Sequence, residues 1–312
     1  MKVYSAKYID TYFDYYEFVD FLQKFYCKEI HTPVRQHYSL GDQPKGTMLL
    51  MPSWTNQDYM GVKLVTVFPE NKDRPSINGL YILMNKKNGE VLAQFDGLSL
   101  TCKRTAAVSA LAAKLILPKR RKIMLMIGTG NMSIELIRAH HRIHQFTSIY
   151  IWGRSFQKAK LKEDQLKKEG YPIVAIHDKE AMVNQADLIS VATLSDEPLL
   201  FGKNLSEGVY VDMVGSYKPD SREADDAVLE NAKIFVDTYT GMEESGDLKI
   251  PLDQGLIKRE DILADLIQLS KKEYVPDFDD AQKLVFKSVG FAASDLACAT
   301  YLYLKSKREE PN

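Results

Sequence analysis

The chain has 312 residues, which is enough for two domains with sizeable cores. Its 41 lysines and arginines are balanced by 42 aspartates and glutamates, so no basic excess can neutralise nucleic-acid phosphates and we expect no nucleic-acid partner. The three cysteines are far apart and lack metal-ligand spacing, which predicts reduced thiols in a cytoplasmic protein. We find no apolar signal core and no bilayer-length apolar run, and therefore expect no membrane association.

The first third of the chain predicts a mixture of helix and antiparallel strands. Residues 14–30 carry Phe18, Leu22 and Phe25 at helical spacing, which indicates an amphipathic helix. Strand-like runs follow at 47–51, 61–68, 79–84 and 91–95. Asn88-Gly89 separates the last two runs and is typical of a hairpin turn. This part therefore predicts an α+β domain.

The pattern changes after the basic turn at 118–122, where β-rich runs begin to alternate with helical stretches. The predicted strands lie at 123–127, 148–152, 173–176, 188–192, 209–214 and 233–237. Repeated β-α-β alternation predicts an α/β fold, a Rossmann doubly wound parallel sheet. A last helix at 288–307 is expected to return to the first domain. We thus predict a discontinuous α+β domain, 1–118 plus about 290–312, and a Rossmann domain at 119–289.

The clearest motif is the glycine loop that follows the apolar run at 123–127. Gly128 and Gly130 are followed by Asn131 and Met132, and Ser133 replaces the usual third glycine. Strand, glycine turn and helix in this order predict a dinucleotide site. The first glycine permits the tight turn, the second lets the backbone approach the pyrophosphate, and the helix start offers N–H groups.

The end of the second Rossmann strand indicates which dinucleotide is bound. NAD enzymes place a carboxylate there for the ribose 2′-hydroxyl, whereas NADP enzymes place a cation. Here the strand ends in Gly153-Arg154-Ser155 without a carboxylate. Arg154 and Ser155 are therefore predicted to bind a 2′-phosphate, and the expected cofactor is NADPH, with NADH as the alternative.

Three cations outside the glycine loop are candidate anion ligands. Arg104 and Thr105 follow Lys103 at what we predict to be the start of an Ala-rich helix, where free N–H groups add to the positive charge. Arg35 follows the first helix. Lys63 interrupts an otherwise apolar strand, and a buried ammonium needs a partner. Each of these cations alone is equally consistent with a solvated or salt-bridged surface position.

Taken together, these motifs give the chain a resemblance to the ornithine cyclodeaminase/μ-crystallin family over nearly its whole length. The matching segments are Pro33-Val34-Arg35, Met51-Pro52, Gly61-Val62-Lys63, Asp96-Gly97, Arg104-Thr105-Ala106-Ala107, the glycine loop, Val214-Gly215-Ser216, Arg222-Glu223, Ser288-Val289-Gly290 and Asp295-Leu296-Ala297. The resemblance implies a homodimer in which the first domain and the last helix form the substrate site and the dimer interface.

The resemblance also implies roles for single residues. Arg35, Lys63 and Arg104 would bind a substrate carboxylate. The residues implied to lie near the cofactor, beyond those of the glycine loop, are Thr105, Thr193, Val214 and Val289. Among these groups, Lys63 is our candidate for holding or relaying a proton, since neighbouring cations would lower its pKa.

One departure from the family pattern narrows the expected chemistry. Cyclodeaminases carry a catalytic aspartate two residues after the glycine that corresponds to Gly215, and Tyr217 stands there instead. A phenol with a pKa near ~10 is a poor substitute for a carboxylate base. Residues 214–223, Gly246-Asp247-Leu248 and 286–290 resemble instead the reductases of cyclic ketimines, small cyclic imino acids. Tyr217 would line the pocket or donate a hydrogen bond.

Three other functions remain open on the sequence. The first is another amino-acid dehydrogenase of the family with an open-chain imine, and the second is an ornithine cyclodeaminase. The third is a μ-crystallin-like protein that binds NADPH and a small ligand without turnover. The three histidines His140, His141 and His144 are candidate metal ligands, but no acidic or thiol residue stands beside them at ligand spacing, so we expect no metal and a surface position.

Overall fold

The computed structural model describes residues 1–42, 45–117, 122–193, 195–277, 279 and 281–309. The chain forms two compact units, Met1–Thr105 with Phe291–Asn312, and Ala106–Gly290. Residues 118–121, where the sequence suggests the first domain boundary, lie outside the described residues, and the domain bounds drawn from the sequence stay a prediction. Within the described part of the chain, no helix combines the length and apolarity needed to cross a membrane.

The first unit contains a sheet with the strand order β1-β7-β6-β5-β4-β2, and β3 also pairs with β4. Its strands are β1 (Lys2–Tyr4), β2 (Ile30–His31), β3 (Gln36–Asp42), β4 (Lys45–Thr55), β5 (Tyr59–Val67), β6 (Ile77–Asn85) and β7 (Val91–Asp96). All pairs are antiparallel except β1 with β7. The four strands expected from alternation are present, whereas β1 and β2 are too short, and β3 too polar, to be recognised by periodicity.

Three helices lie wholly within the described residues of the first unit. They are α1 (Ala6–Tyr12), α2 (Tyr15–Tyr26) and α10 (Ala292–Glu309). The carboxylate of Asp14 accepts a hydrogen bond from the Glu17 N–H and so caps α2, whose Phe18 and Leu22 are fully buried. The last helix α10 packs against α2 and against β4, β5 and β6. The last helix therefore packs on elements from the first part of the chain.

The helix α3 (Gly97–Ile116) begins earlier than the sequence analysis suggested. The carboxylate of Asp96 accepts a hydrogen bond from the Ser99 N–H at 2.8 Å, which is the arrangement of a capping residue. Arg104 and Thr105 therefore lie two turns inside the helix, where their N–H groups are used by the helix itself. The expected contribution of free N–H groups at this position was wrong.

The second unit is built on a sheet in which every strand pair is parallel. The strands are β8 (Ile123–Ile127), β9 (Ser148–Trp152), β10 (Ile173–Ala175), β11 (Leu188–Val191), β12 (Tyr210–Met213), β13 (Lys233–Val236), β14 (Ile262–Asp265) and β15 (Leu284–Lys287). Their order is β10-β9-β8-β11-β12-β15-β13-β14. The first five have the order of a doubly wound dinucleotide fold, which confirms the predicted fold class.

The helices of this unit follow the strands in alternation. They are α4 (Asn131–His144), α5 (Phe156–Lys168), α6 (Glu180–Val183), α7 (Asp226–Leu229), α8 (Gly246–Asp253) and α9 (Leu266–Lys271). The expected surface position of the histidines was wrong for two of them, because His140 is fully buried and His144 nearly so. His140 Nε2 lies 3.0 Å from the Asp212 carboxylate. No three metal-binding side chains come together among the described residues.

Candidate functional site

The first unit contains two buried cations that share one buried carboxylate. The Lys63 ammonium lies 3.1 Å from Asp295 Oδ1 and 2.9 Å from Oδ2, and Arg104 Nε donates to Oδ1 at 3.0 Å. Lys63 is 3% exposed, Arg104 5% and Asp295 0%. Desolvation makes isolated charges costly at this depth, so each cation depends on the shared carboxylate.

Three separate elements bring these side chains together. Lys63 points to the helix-covered face of the sheet, beside buried Tyr81 on β6 and Met51 on β4. Asp295 lies in the first turn of α10, which packs on that face, and the positive end of the helix dipole favours its charge. Arg104 reaches the same carboxylate from α3. The cluster therefore requires a strand and two helices that are distant in the sequence.

The pKa of Lys63 is lowered from 10.5 to about 8. Burial is the main cause, and the positive charges of Arg104 and Arg35 act in the same direction, while the charge and hydrogen bond of Asp295 oppose the shift. The direction agrees with the prediction, but burial contributes more than the neighbouring cations. Arg35 is half-buried and near enough to influence Lys63, so the three predicted cations lie in one cluster.

The cluster also contains an unused donor. Arg104 Nη1 is buried without a hydrogen-bond partner among the described residues. A guanidinium nitrogen left in this state has lost its hydration without compensation. A small anion such as a carboxylate would satisfy this donor.

The second unit carries the glycine loop between β8 and α4. Gly128 has a φ of +127°, and a Cβ there would lie 2.3 Å from the Ala192 carbonyl oxygen, so glycine is required. At Gly130, in contrast, a Cβ would meet nothing within 4 Å. Ser133, the substitute for the third glycine, is fully buried and donates to the Gly130 carbonyl at 2.7 Å. A small side chain thus preserves the close helix–strand packing.

This loop fits a dinucleotide pyrophosphate. Within the described residues no side chain caps α4, so the N–H groups at its start, from Asn131 and Met132, have no side-chain acceptor. The space beside Gly130 is open, as the approach of a phosphate to the backbone requires. The helix dipole adds positive potential at this point. These features match the roles predicted for Gly128, Gly130, Asn131 and Met132, which stay predictions.

Arg154 and Ser155 lie in the turn between β9 and α5. Arg154 is exposed and free to meet a ligand from solvent, whereas the Ser155 hydroxyl accepts from the Lys158 N–H at 3.4 Å and donates to Gln157. Ser155 is therefore the capping residue of α5 as well as a predicted phosphate ligand.

The remaining predicted residues are placed on different elements. Thr193 and Val214 follow β11 and β12, which are neighbours in the sheet, and Val289 follows β15, the next strand along. These three loops share the edge of the sheet that carries the glycine loop. Tyr217 is 45% exposed in the segment after β12, and Thr105 is buried within α3. Their functional roles stay predictions.

Sequence reasoning missed two buried carboxylates. Asp295 belongs to a motif of the family resemblance that assigns it no role, although a charge within the apolar segment at 291–299 signals a buried partner. Glu223 is also fully buried and accepts four hydrogen bonds from the loops after β11 and β12. No local pattern predicts that contact, because its partners are up to 30 residues away.

Comparisons with known proteins agree with this architecture. The profile of the ornithine cyclodeaminase/mu-crystallin family matches residues 3–310. The Delta(1)-pyrroline-2-carboxylate reductase of Colwellia psychrerythraea is 33% identical over 310 residues, which are 96% of this chain and 97% of that protein. The Thermococcus litoralis enzyme of the same name, solved with NADH and L-proline, is 27% identical with a TM-score of 0.92, covering 99% of this chain and 98% of that chain. An archaeal alanine dehydrogenase, described as a dimer with bound NAD, has a TM-score of 0.91 at 22% identity, covering 99% and 97% of the two chains.

The fold and the glycine loop define the class: this is a Rossmann-type oxidoreductase that uses a nicotinamide dinucleotide. Within that class, the chain belongs to the ornithine cyclodeaminase/mu-crystallin family.

Proposed function

We propose that this protein reduces cyclic ketimines that carry a carboxylate on the imine carbon, namely Δ1-pyrroline-2-carboxylate to L-proline and Δ1-piperideine-2-carboxylate to L-pipecolate. The observation that carries the proposal is the buried cluster of Lys63 and Arg104 on Asp295, in which one Arg104 nitrogen has no hydrogen-bond partner within the described part of the chain. Relatives similar over most of the chain are named for the first of these reactions, which supports the choice of substrate class.

The cations would bind and orient the substrate through its carboxylate. Arg104 Nη1 is free to donate to one oxygen, and Arg35 would provide the second cation. Fixing the carboxylate also fixes the adjacent imine carbon, which is catalysis by positioning. The bound nicotinamide supplies the hydride that this carbon accepts. The glycine loop at Gly128 and Gly130 would hold the pyrophosphate at the start of α4.

Lys63 would supply the proton that the ring nitrogen gains. Burial and the positive charges of Arg104 and Arg35 lower the pKa of Lys63 to about 8, so its ammonium gives up a proton more readily than an ordinary lysine. Transfer of the Lys63 proton to the ring nitrogen keeps the total charge unchanged and makes the imine carbon more electrophilic. Hydride addition then leaves the neutral secondary amine, and Lys63 regains a proton from water.

The proposed cofactor is NADPH, with NADH as the weaker alternative. The turn after β9 contains the exposed Arg154 and no carboxylate, which favours a 2′-phosphate over a 2′-hydroxyl.

We also propose that the protein is a homodimer. On β5 and β6 the buried residues alternate with Val62, Leu64, Leu80 and Ile82, which are apolar but only half-buried. An antiparallel sheet that turns one face to water normally carries polar residues there. The dimeric description of the archaeal alanine dehydrogenase supports the same arrangement. A cytoplasmic location stays a prediction of the sequence.

The direct test is turnover of purified protein with both ketimines. We expect consumption of NADPH with either ring size and formation of L-proline or L-pipecolate, identified by chiral chromatography. Δ1-pyrroline-5-carboxylate is a matched control, because its carboxylate is not on the imine carbon and should not support the reaction. Pyruvate with ammonia tests an open-chain imine, and ornithine tests cyclodeamination. Turnover of ornithine without reduction of either ketimine would overturn the proposal, and tight NADPH binding without any turnover would favour a binding protein.

A further inference from the structure

Three motifs of the second unit have no role in the proposed reaction, and the structure joins them in one buried cluster. They contribute Glu223, Asp247 and Lys287, which are 0%, 1% and 1% exposed. Each comes from a different segment: Glu223 follows β12, Asp247 lies in the first turn of α8 and Lys287 ends β15. Three charged side chains at this depth are costly unless they are paired and hydrogen-bonded.

Glu223 uses both carboxylate oxygens to join two loops. Its Oε1 accepts from the Thr193 N–H at 2.6 Å and from the Thr193 hydroxyl at 2.9 Å. Its Oε2 accepts from the N–H groups of Gly215 and Ser216 at 2.5 and 3.1 Å. The loops are tightly apposed, since a Cβ at Gly215 would lie 2.2 Å from the Thr193 carbonyl oxygen. One carboxylate thus fixes the distance between the loops after β11 and β12.

Lys287 and Asp247 hold Glu223 from the other side. Asp247 Oδ1 accepts from the Glu223 N–H at 2.7 Å, while Lys287 Nζ donates to Asp247 Oδ2 at 3.0 Å and to the Ser216 carbonyl at 2.8 Å. Burial raises the pKa of Glu223 to about 7, and the positive charge of Lys287 opposes this rise. Lys287 thus pairs with Asp247, and Asp247 in turn holds the backbone of Glu223.

The joined loops lie in a defined half of the dinucleotide fold. In the doubly wound sheet, β8, β9 and β10 form the mononucleotide half whose first turn is the glycine loop, and β11 and β12 begin the other half. The first half receives the adenosine end of the cofactor, because the ribose-recognition turn follows β9. The loops after β11 and β12 consequently belong to the nicotinamide end. Glu223 is buried beneath them and has no surface to offer the cofactor itself.

We propose that Glu223 is a positioning residue for the nicotinamide end of the cofactor, which it fixes by holding the Thr193 and Gly215 loops together. The inference rests on nicotinamide dinucleotide binding by this fold, and it does not depend on the ketimine as the substrate. Asp247 and Lys287 keep the Glu223 carboxylate in place.

The isosteric variant Glu223→Gln tests this role. A glutamine keeps one acceptor oxygen for one of the two loops. Its NH2 group would face the N–H donors of the other loop and cannot accept from them, so that loop loses its attachment. We expect about tenfold or greater weakening of NADPH binding in calorimetry. Adenosine 2′,5′-bisphosphate, the adenosine-end fragment, should bind within about twofold of its wild-type affinity. The affinities for NADH and for its adenosine-end fragment ADP provide the same comparison without the 2′-phosphate.

Asp187→Asn is the matched control. The Asp187 carboxylate accepts from the Lys122 and Ile123 N–H groups at 2.8 and 2.9 Å, at the opposite edge of the same sheet. We expect this variant to lose stability without loss of NADPH affinity. Glu223→Asp is the second variant, for use if Glu223→Gln does not fold. It keeps the charge, but its side chain is too short to reach both loops, so it should show the same selective loss of NADPH affinity. Unchanged NADPH affinity in both Glu223 variants, or equal loss of NADPH and fragment binding, would overturn the proposal. Because these readouts need no ketimine, failure of the proposed reaction would leave them intact.

Discussion

The pKa of Lys63 is the result of opposing effects from its surroundings. Burial, Arg104 and Arg35 disfavour the ammonium, whereas Asp295 favours it, and the pKa settles at about 8. A lysine at its ordinary pKa of 10.5 would hold its proton too strongly to donate it near neutral pH. The lowered pKa keeps the side chain protonated at pH 7 and yet able to give up its proton.

This position predicts a descending limb in the pH profile of ketimine reduction. Lowering the pKa means that Lys63 loses its proton as the pH rises through about 8, so kcat/KM should fall above that pH. Lys63→Met removes the proposed donor and should reduce kcat/KM by about 10²–10⁴-fold at pH 7. The measurement is steady-state kinetics between pH 6 and 10 for both proteins, with the limb near 8 absent from the variant.

Lys103→Met is the matched control for that experiment. Lys103 is also a buried lysine, 5% exposed, but its ammonium pairs with Asp10 instead of Asp295. Loss of a buried lysine as such should affect both variants, whereas loss of the proton donor affects Lys63→Met alone. A limb near pH 8 that persists in Lys63→Met would assign the titration to another group.

The sequence identifies single residues only where their type conflicts with their surroundings. Lys63 stands out because it interrupts an apolar strand, and the structure provides the partner that this observation required. The partner itself, Asp295, lies 232 residues further along the chain. Glu223 gives no such signal, since a glutamate between Arg222 and Ala224 resembles any surface glutamate. Its importance arises from four donors that tertiary folding brings to it.

Among the elements, the turn from β9 to α5 is so short that the positions of its side chains can be predicted from the sequence alone. Strand β9 has the predicted bounds. Arg154 and Ser155 occupy the two positions between Gly153, which follows the strand, and the first residue of α5. By contrast, the start of α3 was placed too late, because the Ala-rich segment is a stronger helix pattern than the Asp96 cap that precedes it. Alternation and turn chemistry thus predict strands and βα turns better than they predict where a buried helix begins.

The same turn predicts how cofactor preference can be reversed. Replacing Arg154 by Asp removes the cation that we propose binds the 2′-phosphate, and it provides an acceptor for a 2′-hydroxyl. We expect the ratio of kcat/KM for NADPH to that for NADH to fall by about tenfold or more. The comparison uses wild type, Arg154→Asp and Lys158→Asp. Lys158 is an exposed cation in the first turn of α5, so its variant is the charge-matched control. An unchanged ratio in Arg154→Asp would contradict the role given to Arg154.

At the scale of the whole molecule, the half-buried apolar face of the first sheet predicts self-association. Replacing Ile82 by Glu puts a charge on that face, where burial against a second copy would be costly. We expect light scattering to give twice the mass of one chain for the wild type and one chain mass for Ile82→Glu. Val174→Glu, an equally apolar strand residue that is 45% exposed in the other unit, should remain dimeric. A monomeric wild type at micromolar concentration would refute the dimer.

The sequence by itself determined that the chain has an α+β part and an α/β part with a parallel sheet. It also identified the dinucleotide loop and the family. These follow from local periodicity and from short motifs, because hydrophobic alternation and turn residues act between neighbours in the chain. Only the tertiary structure decided which charges share a carboxylate. Asp295 between Lys63 and Arg104, and Glu223 beneath two loops, depend on contacts across tens to hundreds of residues. Burial then makes those contacts strong, since the same charges in water would interact only weakly.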